Sequence, residues 1–254
     1  MWRIAILGAL ALCASAQSHY QRGQQAAAKN DYTAAAHEFA LARQQNPDDM
    51  RVLLALGTSL ARAGQLDAAQ NVFADLLRRH PNSPELHLLW GQAYASVARP
   101  AEAEQEFREA LRLNPKLPEG HYNLGLLLLK RQRLEEAKTE FRAELALNPQ
   151  NVKDRYDLAV ALLHTNEVSA GLLELQRVLK QRPHDADANY EYGKAKLAEG
   201  DLQSAITYLE RAVRTNPSKP YAHYQLGRAY LRARRQQDAA REFAAVKRLR
   251  GIPE

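Results

Sequence analysis

The chain has little of what usually carries chemistry or staples a fold. Its 254 residues include one cysteine, Cys13, so no internal disulfide framework and no cysteine-based zinc knuckle can form. The longest apolar run near the start, Ile4–Leu12, is nine residues, too short to span a bilayer. There is no Gly-rich phosphate loop, no Gly-x-Ser-x-Gly and no His-Glu-x-x-His, so nothing points to nucleotide, serine-hydrolase or zinc-peptidase chemistry. Asn-x-Ser/Thr sequons are missing as well, since Asn216 is followed by Pro217. Aromatics are 7% of the chain and glycines number 12, a composition that fits an all-helical protein.

What is present is repetition. Prolines stand at Pro47, Pro81, Pro115, Pro149, Pro183 and Pro217, each 34 residues from the last. Small residues keep the same spacing at Gly23, Gly57, Gly91, Gly125, Ala159, Gly193 and Gly227, and again at Ala35, Ala69, Ala103, Ala137, Gly171, Ala205 and Ala239. A bulky column runs Phe39, Phe73, Phe107, Phe141, Leu175, Leu209, Phe243. Within one copy, Leu124, Leu127 and Leu128 recur at helical spacing. Polar Arg131-Gln132-Arg133 interrupts them, and Leu134, Ala137, Phe141 and Leu145 begin a second amphipathic run. Asn148-Pro149 ends it, because the residue before proline is pushed out of the α region. A fixed period in this range signals a stacked array of helix pairs.

These columns resemble the tetratricopeptide repeat, and Trp90-Gly91, Tyr94, Ala103, Phe107 and Pro115 match it best. The resemblance implies an all-α fold: a right-handed α-solenoid of seven helix-turn-helix repeats at 17–49, 50–83, 84–117, 118–151, 152–185, 186–219 and 220–254, the last with a C-terminal cap. Gly57, Gly91 and Gly125 are expected where the two helices of a repeat cross, facing Ala69, Ala103 and Ala137. Phe107, Phe141 and their column are expected to fill the wedge between repeats. The departures (Ala159 and Gly171 exchanged, Leu175 and Leu209 for Phe, Gly251 for Pro) are local.

The family also implies that first helices line a concave groove where partners bind. One column then matters: Tyr20, Leu54, Leu88, Tyr122, Tyr156, Tyr190 and Tyr224. Tyrosine offers rigid amphipathic area and a hydroxyl. Leu126, Lys130, Lys153, Lys194 and Arg228 stand beside it, which suggests an extended peptide with apolar anchors and some acidic residues. The alternative is that these rings simply pack on the next repeat. A carboxylate clamp like that of the family's chaperone-tail binders is incomplete: Asn123 and Lys153 fit, but Leu88 and Asp157 replace a lysine and an arginine. His19, His87, His121 and His223 share a column with no cysteine or carboxylate expected to converge on them, so no metal is expected, no cofactor either, and no catalysis.

Charge is uneven. From Pro220 onward, eight basic residues (Arg228, Arg232, Arg234, Arg235, Arg241, Lys247, Arg248, Arg250) face three acidic ones, while the repeats before it nearly balance. This is either a solubilising cap or a dock for an anionic membrane surface or acidic partner. With no basic stripe along the array, nucleic acid is not an expected partner. End-to-end stacking through Phe243, Val246 and Leu249 would be the route to a homo-oligomer.

Residues 1–16 read as a signal peptide. Arg3 precedes the apolar run, and Ala14-Ser15-Ala16 supplies the small-x-small pattern for cleavage between Ala16 and Gln17. The protein is therefore expected to be exported, periplasmic or secreted, in a bacterium. The alternatives are an uncleaved N-terminal helix or anchor, and lipid attachment at Cys13, which Leu12 disfavours. Mass spectrometry of the mature protein should find an N-terminal peptide starting at Gln17; a peptide retaining Cys13 would refute the cleavage.

Overall fold

A computed structural model describes residues 18–251. The expected signal peptide, Cys13, Ala16 and Gln17 lie outside the described residues. All regular structure among those described is helical. The helices come in pairs: α1 (18–28) with α2 (Tyr32–Gln45), α3 (Met50–Arg62) with α4 (Leu66–Arg79), and α5 (Pro84–Ser96) with α6 (Pro100–Leu113). Then come α7 (Gly120–Lys130) and α8 (Leu134–Leu147), followed by the pairs α9 (Val152–His164) with α10 (Val168–Gln181), α11 (Ala186–Glu199) with α12 (Leu202–Thr215), and α13 (Pro220–Arg232) with α14 (Gln236–Leu249). The chain divides into two compact units, Met1–Leu127 and Leu128–Glu254.

Side-chain chemistry sets the helix ends. Asp31, Asp49, Ser83, Asn151, Asp185 and Asp201 each accept a backbone N–H from the first turn they precede. Pro84, Pro100 and Pro220 occupy first-turn positions, where a missing N–H costs nothing. The tight turn inside each pair needs a left-handed residue. Gly64, Gly200, Asn30 and Asn166 fill it, as their types suggest, but Ala98, Gln132 and Arg234 do too, at φ near +60°. Leu117 stands where four other repeats have a capping Asp, Ser or Asn; the last repeat has Lys219 there, also without a side-chain cap. Leu117 cannot accept an N–H and buries its side chain instead; Glu119 turns left-handed and α7 starts late, at Gly120.

In the first unit the helices from α2 to α6, and in the second those from α8 to α14, each pack on the next in sequence, and first helices pack on the next first helix: α3 on α5 in the first unit, α9 on α11 and α11 on α13 in the second. The core is accordingly a series of clusters shared by adjacent repeats. One joins Val152, Ala159, Leu172, Leu175 and Val178 to Ala188 and Tyr192; the next joins Leu197, Ala205, Ile206 and Leu209 to Leu226, Ala229 and Tyr230. Each repeat leaves an apolar side that only its neighbour can cover.

The bulky column sits differently from the expectation. Its rings lie first on the glycine of their own repeat: a Cβ on Gly91 would come within 2.6 Å of the Phe107 ring, and one on Gly57 within 2.8 Å of Phe73. The wedge between repeats is reached from the far side of the ring, as where Phe73 stacks on Trp90 of the following repeat at 4.5 Å. The alanine column stands beside this contact: a Cβ on Gly91 would also come within 3.2 Å of the Ala103 carbonyl oxygen, so the two helices pass with little room between their backbones. In the fifth repeat the exchange of Ala159 and Gly171 keeps this contact. A Cβ on Gly171 would meet Leu163 at 2.8 Å and the Ala159 oxygen at 3.1 Å. The crossing tolerates one methyl, on either helix.

The histidine column also departs from expectation, because carboxylates do converge on it. His19, His87 and His223 each place Nδ1 2.6–2.7 Å from a glutamate 19 residues on (Glu38, Glu106, Glu242), and Arg155 reaches Glu174 at 2.6 Å in the same way. The other side of the group ties back to the proline six residues earlier: His223 Nε2 is 2.9 Å from the Pro217 oxygen, Asn189 Nδ2 donates to Pro183 at 3.0 Å, and Arg155 donates to Pro149 at 2.5 Å. These are structural ties between the first helix, its own second helix and the preceding turn. Among the described residues no group of three potential ligands could hold a metal ion.

Truncating Phe107 to Ala should cost about 3–5 kcal/mol in urea unfolding. Gly91→Ala should also destabilise, by pressing a methyl against the ring, yet the double variant should lose less than the two single costs added. Additive losses would refute the contact between these two positions.

Candidate functional site

In the second unit the first helices α9, α11 and α13 pack one on the next and carry Tyr156, Tyr190 and Tyr224 at the same place in each repeat. Exposure rises along it. Tyr156 and Tyr190 are half-buried, and Tyr224 is 46% exposed. The rings do not stack on one another. Tyr190 packs edge-on against Tyr221 at 4.6 Å, and Tyr224 tilts over Phe243 of its own repeat at 6.0 Å. Tyr221, which the column analysis overlooked because it is one turn ahead of Tyr224, also donates its hydroxyl to Asp187 at 3.1 Å.

Cations hold the rims of these rings. Lys194 lies 5.5 Å from the Tyr190 centroid while donating to Glu191 at 2.7 Å, and Arg228 lies 5.9 Å from the Tyr224 centroid while donating to Gln225 at 3.2 Å. Carboxylates share the face. Burial, then Glu191, Asp187, Asp157 and Asp185, hold the Tyr156 hydroxyl well above the ordinary phenol range; burial and Glu191 raise Tyr190. The expectation of an acidic ligand here is thus revised. The side chains between Tyr156 and Tyr190 are acid-rich, and positive charge concentrates at Lys153, Lys194 and Arg228.

Other expected groove residues behave differently. Tyr122 on α7 is buried, at 8% exposure, so its ring belongs to packing and not to an open face. Leu126 is half-buried, and Lys130 and Lys153 are exposed. In the basic last repeat much of the charge is already engaged. Arg235 and Arg241 both pair with Asp238, and Arg232 donates to the Leu197 oxygen at 2.5 Å. At the supposed stacking end, Val246 is buried and Leu249 is 37% exposed. One buried cation was invisible in the sequence: Lys138, 2% exposed, donates to Glu135 at 2.8 Å, to Thr165 at 3.2 Å and to Glu167. Those two carboxylates raise its affinity for the proton.

The first unit has a cleft of about 640 Å³, formed mainly by α1 and α3. Residues 51, 54, 55, 58, 59 and 62 of α3 line it at i, i+3, i+4, i+7, i+8 and i+11, one continuous helical face. The sequence could have shown it, since Arg51 shares the column of Lys153 and Arg62 that of Lys130. Attention to tyrosine drew the expected groove toward the other half. Among the described residues no helix is long and apolar enough to cross a membrane.

Burial and the Asp187 carboxylate push the Tyr221 phenol up to about 12. The neutral hydroxyl's contribution is therefore complete below pH ~10, where an unfolded tyrosine ionises, and is lost as pH rises through the folded value. Asp187→Asn should move the Tyr221 ionisation downward in an ultraviolet alkaline titration referenced to Tyr221→Phe. An unmoved titration would refute the pairing.

A family model described as a tetratricopeptide repeat matches residues 13–84, 54–118, 88–152, 122–186, 156–220 and 190–251. Among solved structures, a MamA fragment from Desulfovibrio magneticus RS-1, residue 41 to its end, is 27% identical, with a TM-score of 0.62 over 66% of this chain and 94% of that one. YrrB, described as a TPR protein with an unusual peptide-binding site, is 20% identical, with a TM-score of 0.60 over 70% of this chain and 91% of its own. PilW, described as a widely conserved type IV pilus biogenesis factor, is 19% identical, with a TM-score of 0.68 over 80% and 94%. The last two likenesses concern the fold. No curated protein matches this chain. The in-phase columns, the helix pairs and the family model agree: the chain belongs to the tetratricopeptide repeat family.

Proposed function

We propose that the chain is a non-catalytic scaffold, exported from a bacterial cytoplasm, that holds a peptide or protein segment along the first-helix face of its second unit. The observation that carries this reading is the row Tyr156, Tyr190 and Tyr224, with graded exposure and cations at its rims. Tyrosine supplies contact area at low entropic cost, and a rigid helix array holds it in place before binding. The mixed charge of the face, with Asp187 and Glu191 beside Lys194 and Arg228, suits a segment of mixed charge with apolar anchors. YrrB, described as having a peptide-binding site, shares the fold, which makes such a use of it reasonable here.

A membrane-associated assembly factor is the second reading. Arg234, Lys247, Arg248 and Arg250 favour it, because they have no carboxylate partner among the described residues. Lys247, Arg248 and Arg250 lie in or just after the last turn of α14, and Arg234 just after the end of α13, so each equally suits the negative end of a helix dipole. A mature N-terminus at Gln17 removes the lipid-anchored form of this reading.

Crosslinking in a periplasmic extract tests the first. The triple variant Tyr156→Ala, Tyr190→Ala and Tyr224→Ala should keep its helical circular dichroism and lose partners that the parent captures. Identical partner sets would defeat the assignment of this face.

A further inference from the structure

The cleft of the first unit differs in chemistry from the tyrosine face of the second, and it is an open groove of about 640 Å³. Its floor is apolar, from Leu54 and Ala55 of α3 with Leu89 of α5. No aspartate or glutamate lines it. Arg51 and Arg62 stand at the two ends of the α3 stripe, three helical turns apart.

The two arginines are not equivalent. Arg51 is neutralised by Asp49, which accepts from its Nη2 at 2.8 Å, and it lies 6.0 Å from the Tyr20 ring. Arg62 is oriented by neutral groups alone. Its Nη1 donates to the Tyr32 hydroxyl at 2.7 Å, its guanidinium carbon is 5.1 Å from that ring, and Tyr32 in turn donates to Asn30 at 2.9 Å. Arg62 thus presents a fixed fork whose charge has no carboxylate partner among the described residues. Arg232, in the same column of the last repeat, gives its Nη1 to a backbone acceptor, the Leu197 oxygen, where Arg62 gives its own to a tyrosine hydroxyl.

We infer that this cleft is a second binding site, for an acidic–aliphatic peptide segment whose side-chain carboxylate pairs with Arg62 and whose aliphatic neighbour rests on Leu54 and Leu89. Charge complementarity selects this occupant. A guanidinium fork matches a carboxylate in geometry, and a cationic segment would meet positive charge with no acid to offset it. The site does not depend on the tyrosine face, where carboxylates are part of the lining.

Fluorescence anisotropy with the full chain tests it. The probe is a labelled, C-terminally amidated Leu-Asp-Leu-Glu-Leu peptide; its control is the Asn/Gln isostere, also amidated. The acidic probe should bind at least about tenfold more tightly than the isostere, in keeping with one charge-assisted contact. Arg62→Gln should abolish that preference with little change in melting temperature, since Arg62 is exposed and gives up only its contact with Tyr32. The triple tyrosine variant should keep it. Equal binding of the two probes, a preference that survives Arg62→Gln, or binding lost in the tyrosine variant would each overturn the assignment. A free-acid isostere that binds through Arg62 while the amidated acidic probe does not would overturn the side-chain carboxylate in favour of a chain terminus. Failure of the tyrosine variant to lose partners bears only on the second unit, so the two readings fail separately.

Discussion

The contact on which the architecture depends is an aromatic ring lying where a side chain is missing. Phe107 against Gly91, Phe73 against Gly57 and Phe243 against Gly227 fill the space that a side chain would take where two helices of one repeat cross, and at Gly91, Gly171 and Gly193 backbone of the partner helix also borders that space. That closeness fixes the angle at which each pair offers its outer side to the next. The shared clusters around Leu175 and Leu209 then follow, because neither flank of a repeat is covered within the repeat itself. Leucine replaces phenylalanine at 175 and 209 without loss of burial, so the crossing needs bulk more than aromaticity.

The polar column adds direction to this packing. A histidine or arginine on the first helix holds a glutamate 19 residues later and a proline carbonyl six residues earlier. Packing alone would permit rotation of the first helix about its axis; a two-sided tie does not. Where Asn189 takes the position, Tyr208 replaces the glutamate, and the amide oxygen is left without a hydrogen-bond partner. The second repeat does without polarity, since Leu53 and Val72 are both buried there.

Most of the fold was legible because repetition multiplies a weak signal. One glycine between apolar residues says little, but seven small residues in phase say where helices cross. The site was less legible. Tyr122 and Tyr224 share a column, yet one is buried and the other nearly half exposed, because exposure depends on neighbours that the column does not encode. The glutamate partners of the histidines were hidden by a spacing of 19, which fits no periodicity within a helix. Tyr221 and Asp187 are 34 apart and of different type, so column reading could not pair them, although they touch. The cleft beside Arg62 was readable in principle from the columns of Lys130 and Lys153, and was missed because no tyrosine marked it.

Lys138 has a further consequence. A chain of near-identical modules risks pairing a module with the wrong neighbour. Lys138 is buried where other copies carry Leu172 or Ile206, and it is held by Glu167 of the turn that follows. In the third copy the place of Glu167 is taken by Arg99, and in the sixth by Asp201. A wrong neighbour that offered Arg99 would set guanidinium against ammonium, whereas a slip forward by one module would meet a carboxylate again. A single side chain thereby acts as a key that some wrong locks refuse and others accept, so stacking order is guarded in one direction by repulsion.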